Sequence, residues 1–338
     1  MGDAVLVTGG SGFVAGWCIV ELLKNGHTVR ASVRDPRRAV SVRDAVSRVV
    51  DPGDRLRFVT ADLLSDENWD EAVAGCQYVL HVASPLTATR DEEQVIRPAV
   101  DGVRRVLRAC RDAGVRRVVY TSSCGAVYYG HPPRNGPFDE SDWTNLGTGK
   151  MSAYVKSKAL AERAAWNFIQ DEGDGLELTA VNPTGIFGPA LSADATSSLG
   201  LIKRLLDGIP ACPDLWFCVA DVRDVADLHL RAMTAPASGQ RYIANASDPV
   251  SMLTIARELR ERLGQAASRV PTRKMPDLVV RLIGRFNAQM NDLVPLLGQQ
   301  RNASAAKAER ELGWQGRPWQ DAVVASAQSL IDLDLVAH

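Results

Sequence analysis

The sequence predicts an α/β protein: a doubly wound parallel sheet with helices on both faces, joined to a smaller, discontinuous C-terminal lobe. Three observations carry that expectation. Short apolar runs alternate with helix-periodic segments over the first half of the chain, as βαβ units require. The runs are near-continuously apolar, as strands covered on both faces are. Turn and stop signals separate them: Asn25-Gly26, Asp35-Pro36, Asp51-Pro52-Gly53 and Ala113-Gly114.

Taken in order, strands are expected at residues 4–8, 28–33, 56–61, 78–82 and 117–122. Helices with apolar residues at i, i+3, i+4 spacing fall between them, over 13–24, 39–50, 67–74 and 91–113. After Ser123 the pattern loosens, and residues 130–150, rich in Pro, Gly, Asn and Asp, read as a long loop. A helix follows over 151–172, then a strand over 176–181 ending in Asn182-Pro183. Two more strands (215–219, 241–244) and four helices (198–207, 225–233, 251–263, 319–333) are separated by Pro-bearing loops. The expected division is residues 1–183, completed by about 216–246, as the sheet domain. Residues 184–215 and 247–338 form most of the lobe.

Composition narrows the function classes. The 338 residues carry 39 Lys+Arg against 40 Asp+Glu, a formal charge of −1, which excludes a molecule-wide basic field for nucleic acid or anionic membrane. The 46% hydrophobic and 23% charged shares are those of a globular chain. No apolar stretch approaches the ~18–20 residues of a membrane span. The three apolar residues Val5-Leu6-Val7 run straight into Thr8-Gly9-Gly10, which is no signal-peptide pattern. The six cysteines (Cys18, Cys76, Cys110, Cys124, Cys212, Cys218) contain no C-x-x-C pair and the five histidines are scattered. Buried free thiols, no metal and a cytoplasmic location are therefore expected.

Chemistry starts at Thr8-Gly9-Gly10-Ser11-Gly12-Phe13-Val14-Ala15, between the first strand and first helix. Gly9 permits the tight turn, Gly12 lets backbone approach a pyrophosphate, and small Ala15 lets the helix lie on the sheet. The N–H groups opening that helix, at Phe13 and Val14, meet the phosphates. This is the Rossmann arrangement for a dinucleotide. The residue ending the second strand selects the cofactor, an acid for the NAD ribose or an arginine for the 2′-phosphate of NADP. Here it is Arg34, with Arg37 and Arg38 just beyond, so NADPH/NADP is expected; Asp35 before Pro36 reads as a turn or cap residue. Asp62-Leu63 and Val82-Ala83-Ser84 close the third and fourth strands at the ligand-binding edge and are expected to flank adenine and pyrophosphate.

Tyr154 and Lys158, four apart on one helix, face the same way. Thr121-Ser122-Ser123 ends the fifth strand at the same sheet edge. Hydride addition to a carbonyl builds charge on oxygen, which needs a donor and then a proton. A phenol with a pKa of about 10 is a poor acid–base group at neutral pH, and a nearby ammonium lowers it. Tyr154 is thus the expected general acid and Lys158 its partner and ribose ligand. Ser123 is expected to hold the substrate oxygen. Pro85, Tyr128, Thr184 and segments 192–201 and 210–217 are candidate pocket walls.

These motifs resemble the extended short-chain dehydrogenase/reductases of the NAD-dependent epimerase/dehydratase family. The similarity is to the branch containing dihydroflavonol reductases, cinnamoyl-CoA reductases and aldehyde and ketone reductases. The resemblance runs through Val7–Phe13, VRASVRDP at 29–36, HVASP at 81–85, Thr121-Ser122-Ser123 and FDESDW at 138–143. It continues with YVKSKALAERAAW at 154–166, Asn182-Pro183, Gly188-Pro189 and VRDVA at 222–226. It implies catalytic roles for Ser123, Tyr154 and Lys158, a 2′-phosphate contact for Arg34, and Pro183 beside the nicotinamide, with Thr121 lining the cofactor. Two departures bear on the substrate. Tyr128 stands where plant dihydroflavonol reductases place Asn, and Met151-Ser152-Ala153-Tyr154-Val155 replaces the Asn-Trp-Tyr-Cys-Tyr run of cinnamoyl-CoA reductases. A general aldehyde or ketone reductase, monomeric or homodimeric, acting on a small-molecule carbonyl, is the expected function. The alternatives are an NDP-sugar epimerase or dehydratase, a 3β-hydroxysteroid-type dehydrogenase, and a non-catalytic NADP-sensing regulator.

Overall fold

The computed structural model describes residues 3–85, 91–148, 151–193 and 196–336. Seven parallel strands make the central sheet: β1 Ala4–Val7, β2 Thr28–Val33, β3 Leu56–Thr60, β4 Tyr78–His81, β5 Arg117–Thr121, β6 Glu177–Pro183 and, late in the chain, β10 Gln240–Ala244. Their spatial order is β3-β2-β1-β4-β5-β6-β10. The order reverses between β1 and β4, which opens a crevice at the carboxyl ends of those two strands, the place where such sheets bind ligands.

The period-two geometry of a strand divides the core. Val5 and Val7 of β1 join one apolar cluster with α1 (Phe13–Lys24) and α7 (Val222–Thr234). Leu6 faces the other way, into a cluster with α4 (Glu93–Asp112) and α5 (Ala153–Glu172). Helices α2 (Arg38–Ser47) and α3 (Trp69–Val73) flank the β2–β3 edge. At the opposite end, Arg117 is 1% exposed and ties β5 to α7. Its Nε donates to Glu177 at 2.6 Å and its Nη1 to the carbonyls of Ala232 and Ala235, so the sheet itself caps that helix.

A third apolar cluster fills the lobe, from α6 (Thr196–Asp207), α8 (Met252–Leu263), α9 (Asp277–Gly284) and α12 (Trp319–Asp332). The strand expected at 215–219 is two pieces. β8 (Trp216–Phe217) pairs antiparallel with β11 (Val250–Ser251), and β9 (Val219–Asp221) pairs parallel with β7 (Gly185–Phe187). β7, β11, α9, α10 (Ala288–Leu293) and α11 (Ala306–Leu312) were not expected. The strands are too short for a periodic signal, and α9 turns Leu278 and Leu282 to solvent, which removes a single apolar face. The segment 130–148 is built into the body rather than loose. Phe138 N–H donates to Asn302 O, Ser304 N–H donates to Phe138 O, and the Thr144 hydroxyl donates to Gly125 O. Residues 149–150 of that loop and 194–195 of the expected pocket wall lie outside the described residues. No helix among the described residues is long and apolar enough to cross a membrane.

Candidate active site

The glycine turn is held by backbone and by one buried hydroxyl. Gly9 has φ +69°, and a Cβ there would meet Ala83 Cβ at 3.0 Å; one on Gly12 would meet Gly9 O at 3.1 Å. Gly9 N–H donates to Ser32 Oγ at 3.0 Å and Gly10 N–H to Ser32 O at 2.8 Å, so β2 sets the turn. Sequence reasoning passed over Ser32. Gly12 is the N-cap of α1 and no side chain caps that end, so the first-turn donors of Phe13 and Val14 lack an intrahelical partner. Leu191 and Ser192 close against Gly10–Phe13 and line a pocket with them. The strap before them is pinned: Trp17 donates to Pro189 O, Ser326 accepts from Gly188 N–H, and Ser329 from Ala190 N–H. Ser192, expected as a substrate wall, therefore borders the glycine turn.

Thr8 is wholly buried, and its hydroxyl is engaged within the protein, by Ala83 N–H at 2.9 Å and His81 Nδ1 at 2.9 Å. It shapes the turn and Val82-Ala83-Ser84 rather than offering a free polar group. Asp62 is likewise turned inward, accepting from Leu64 N–H, while Leu63 packs on Gly102 of α4. At the end of β2, Arg34 is exposed and has no ion-pair partner among the described residues. Arg37 is instead held bidentately by Asp35 at 2.8–3.0 Å, so Asp35 fulfils its expected turn role and draws one of the three arginines away. Arg38 opens α2.

At the far end of the crevice, Ser123 follows β5 and caps a short 3₁₀ turn, its Oγ accepting from Gly125 N–H at 3.0 Å. Ser152 caps α5 through Val155 N–H and so sets the phase that turns Tyr154 and Lys158 inward. The structure brings the three together. The Ser123 side chain neighbours the Tyr154 phenol and favours its charged form, while Lys158 Nζ stands 6.0 Å from the Tyr154 ring centre. Tyr154 as a whole is 44% exposed, yet its hydroxyl end is enclosed; burial holds the phenol above its ordinary value, only partly opposed by Ser123. The lowering expected from Lys158 is not among the causes acting on the Tyr154 phenol, and Lys158 is itself buried. Burial pulls its ammonium down to about 8, against the attraction of Glu162. Among the described residues its Nζ donates only to Thr121 O, at 3.5 Å. Two of its three donors thus remain for a ligand.

Neighbouring groups are fixed. The His229 Nδ1–H donates to Val225 O at 2.7 Å, so its Nε2 accepts from Thr121 Oγ1 at 2.7 Å, and burial lowers its pKa to about 4. Thr121 is thus a structural residue by its side chain. Pro183 ends β6 beside Ala244, and the Thr184 hydroxyl donates to Ala244 O. Tyr128 stacks with Tyr129 and Phe138 at 5.1 and 6.0 Å. Pro85 lies beside the Val82–Ser84 segment.

A dinucleotide fits these features: a close-approach turn without side chains, uncapped helix donors, an exposed Arg34 and a buried lysine with free donors. The family described as NAD dependent epimerase/dehydratase matches over residues 5–245. Dihydroflavonol 4-reductase of Hordeum vulgare is 37% identical over 272 residues, covering 76% of this chain and 74% of that protein. Cinnamoyl-CoA reductase 1 of Arabidopsis thaliana is 37% identical over 249 residues, 72% of this chain and 70% of that one. Among solved structures, yeast methylglyoxal/isovaleraldehyde reductase Gre2 complexed with NADPH superposes with a TM-score of 0.82 at 26% identity, covering 98% of this chain and 100% of that one.

Proposed function

The chain belongs to the NAD dependent epimerase/dehydratase family, and from that premise we propose that it is an NADPH-dependent reductase converting an aldehyde or ketone to an alcohol. One observation carries the reading: Ser123, Tyr154 and Lys158 converge at the carboxyl edge of the sheet that also carries the glycine turn.

When bound, the reduced nicotinamide supplies the hydride. The turn at Gly9–Gly12 and the first N–H groups of α1 would hold the pyrophosphate, Arg34 the 2′-phosphate and Lys158 the ribose, with Pro183 beside the nicotinamide. The Ser123 hydroxyl, anchored by Gly125 N–H, holds the carbonyl oxygen. The Tyr154 Oη–H then donates its proton to that oxygen as negative charge builds there. The raised pKa of Tyr154 suits this direction, because it keeps the phenol protonated at neutral pH. Lys158, pulled to about 8, stays largely charged there and stabilises the phenolate left behind.

Described lobe residues within 184–215 and 247–336 would supply most of the pocket, and the substrate is a small or aromatic carbonyl compound. A cytoplasmic location is supported by six cysteines that are all buried and unpaired. The test is oxidation of NADPH, beside NADH, against a panel of aldehydes and ketones. Turnover with NADPH preferred supports the proposal. Purified protein retaining tightly bound NAD and turning over no carbonyl compound overturns it in favour of an epimerase.

A further inference from the structure

Glu162, which none of the roles above uses, is enclosed by four side-chain hydrogen bonds. It is a carboxylate with 0% exposure. Its Oε2 accepts from Ser122 Oγ at 2.5 Å and from Asn182 Nδ2 at 2.7 Å. Its Oε1 accepts from Arg241 Nε at 2.6 Å and from Trp166 Nε1 at 3.3 Å. The donors come from the end of β5, from β6, from β10 and from α5 itself, so one carboxylate joins three strands to the helix that carries Tyr154 and Lys158. Asn182 Nδ2 also donates to Ser123 O at 3.2 Å, and Ser122 is the neighbour of Ser123 in the chain. Two separate links thus run from Glu162 to the backbone of Ser123. On the helix, Glu162 lies one turn beyond Lys158.

We propose that Glu162 is a positioning residue of the site: its carboxylate clamps the β5 end to α5, fixing Ser123 against Tyr154 and supplying the negative charge that keeps the buried Lys158 protonated. The proposal rests on the reading of Ser123, Tyr154 and Lys158 as the reacting set. Its electrostatic part follows from the groups that face Lys158. On its own helix these are Tyr154 and Glu162; from β4 comes His81 and from β5 the carbonyl of Thr121. His81 is buried with a pKa of about 3 and carries no charge in the working range. Around Glu162, Tyr120 and Cys124 are buried with their pKa values pushed up and are equally uncharged. Arg241 is the cation paired with Glu162, held flat on Trp143 at 3.8 Å and donating to the carbonyls of Glu140 and Asp142. Glu162 is therefore the one anion in direct reach of Lys158 among the described residues. Removing one partner of such a buried pair strands the other charge, so the two are best removed together.

The experiment is the pH profile of kcat and kcat/KM for Glu162→Gln, with Tyr154→Phe beside it. Glutamine retains an acceptor and the shape but not the charge. Lys158 then loses its proton more easily, and the alkaline limb of the profile should move down by about one pH unit. Turnover at pH 7 should fall ~2-fold from the lost charge on Lys158, and further to the extent that Ser123 is displaced, with NADPH affinity changed much less. Because Glu162→Gln leaves Arg241 as an unpaired buried cation, the double variant Glu162→Gln/Arg241→Met removes both charges. It should fold with lowered thermal stability, since the carbonyls of Glu140 and Asp142 lose their Arg241 donor, and still show the displaced limb. An unmoved limb in the folded double variant, with Tyr154→Phe inactive, overturns the proposal alone. Turnover retained by Tyr154→Phe would overturn the underlying assignment of the reacting set instead.

Discussion

The sheet-forming segments and the lobe bury different things. Every buried charged or histidine side chain among the described residues lies in segments 3–183 or 216–246: His81, Arg117, Lys158, Glu162, Asp221, Asp224, His229 and Arg241. Among the described residues, the lobe segments within 184–215 and 247–336 bury only the hydroxyls of Thr184, Ser326 and Ser329 as polar side chains. A core of ionisable groups tolerates one arrangement, because each unmet partner costs about 1–3 kcal/mol or more. An apolar core accepts many shapes of similar volume. Under the proposed function, the chemistry that must stay fixed sits on the first, and the pocket that must suit a particular substrate would be built largely from the second.

Four measurements can break or sharpen that contrast. Tyr154→Phe should lower kcat ~10²–10⁴-fold while leaving NADPH binding intact; a loss of NADPH binding of similar size would show that the fixed half cannot be altered one role at a time. Ile255→Ala, in the wholly buried part of α8, should cost about 2–5 kcal/mol in urea unfolding yet leave NADPH affinity unchanged, and a large loss of affinity would join the two regions.

Acid should act on the sheet half first. Burial depresses the folded-state pKa values of His229 to about 4 and His81 to about 3, from an ordinary 6.5. The unfolded chain binds those protons below about pH 6.5 and the folded one does not, so stability is lost as pH falls from there toward 4, by about 3 kcal/mol for His229 alone. His229→Gln should flatten that part of the stability curve; an unchanged slope would remove the histidine as the cause. The smallest effect is Arg34→Asp, expected to weaken NADPH ~10–100-fold relative to NADH, the worth of a charge-assisted contact. Equal weakening of both would leave Arg34 without a phosphate role.

The same contrast decides what could be seen in the sequence. Strand–helix alternation and the glycine turn were legible because backbone geometry demands them locally: Gly9 needs its positive φ, and β1 alternates Val5 and Val7 against Leu6. Ser123, Tyr154 and Lys158 were legible as types and spacings. Their protonation was not, since the burial that raises Tyr154 and lowers Lys158 comes from strands and helices far away in the chain. Ser32, Glu162 and Leu191 left no signal, because each acts through a partner more than twenty residues distant: Gly9, Arg241 and Gly16. Arg37 misled for the opposite reason, since its partner Asp35 stood two residues off and was assigned only a turn role.

The strap at Gly188–Ala190 ties the nucleotide end of the crevice to the lobe. It leads into Leu191 and Ser192 beside the glycine turn, but two of its anchors, Ser326 and Ser329, stand on α12, 138 and 139 residues further along the chain. Loosening α12 should therefore slacken the wall of the turn without touching the turn itself. A chain cut before Trp319 is expected to bind NADPH more weakly than the uncut chain, so a distant helix acts as a tether on the nucleotide site.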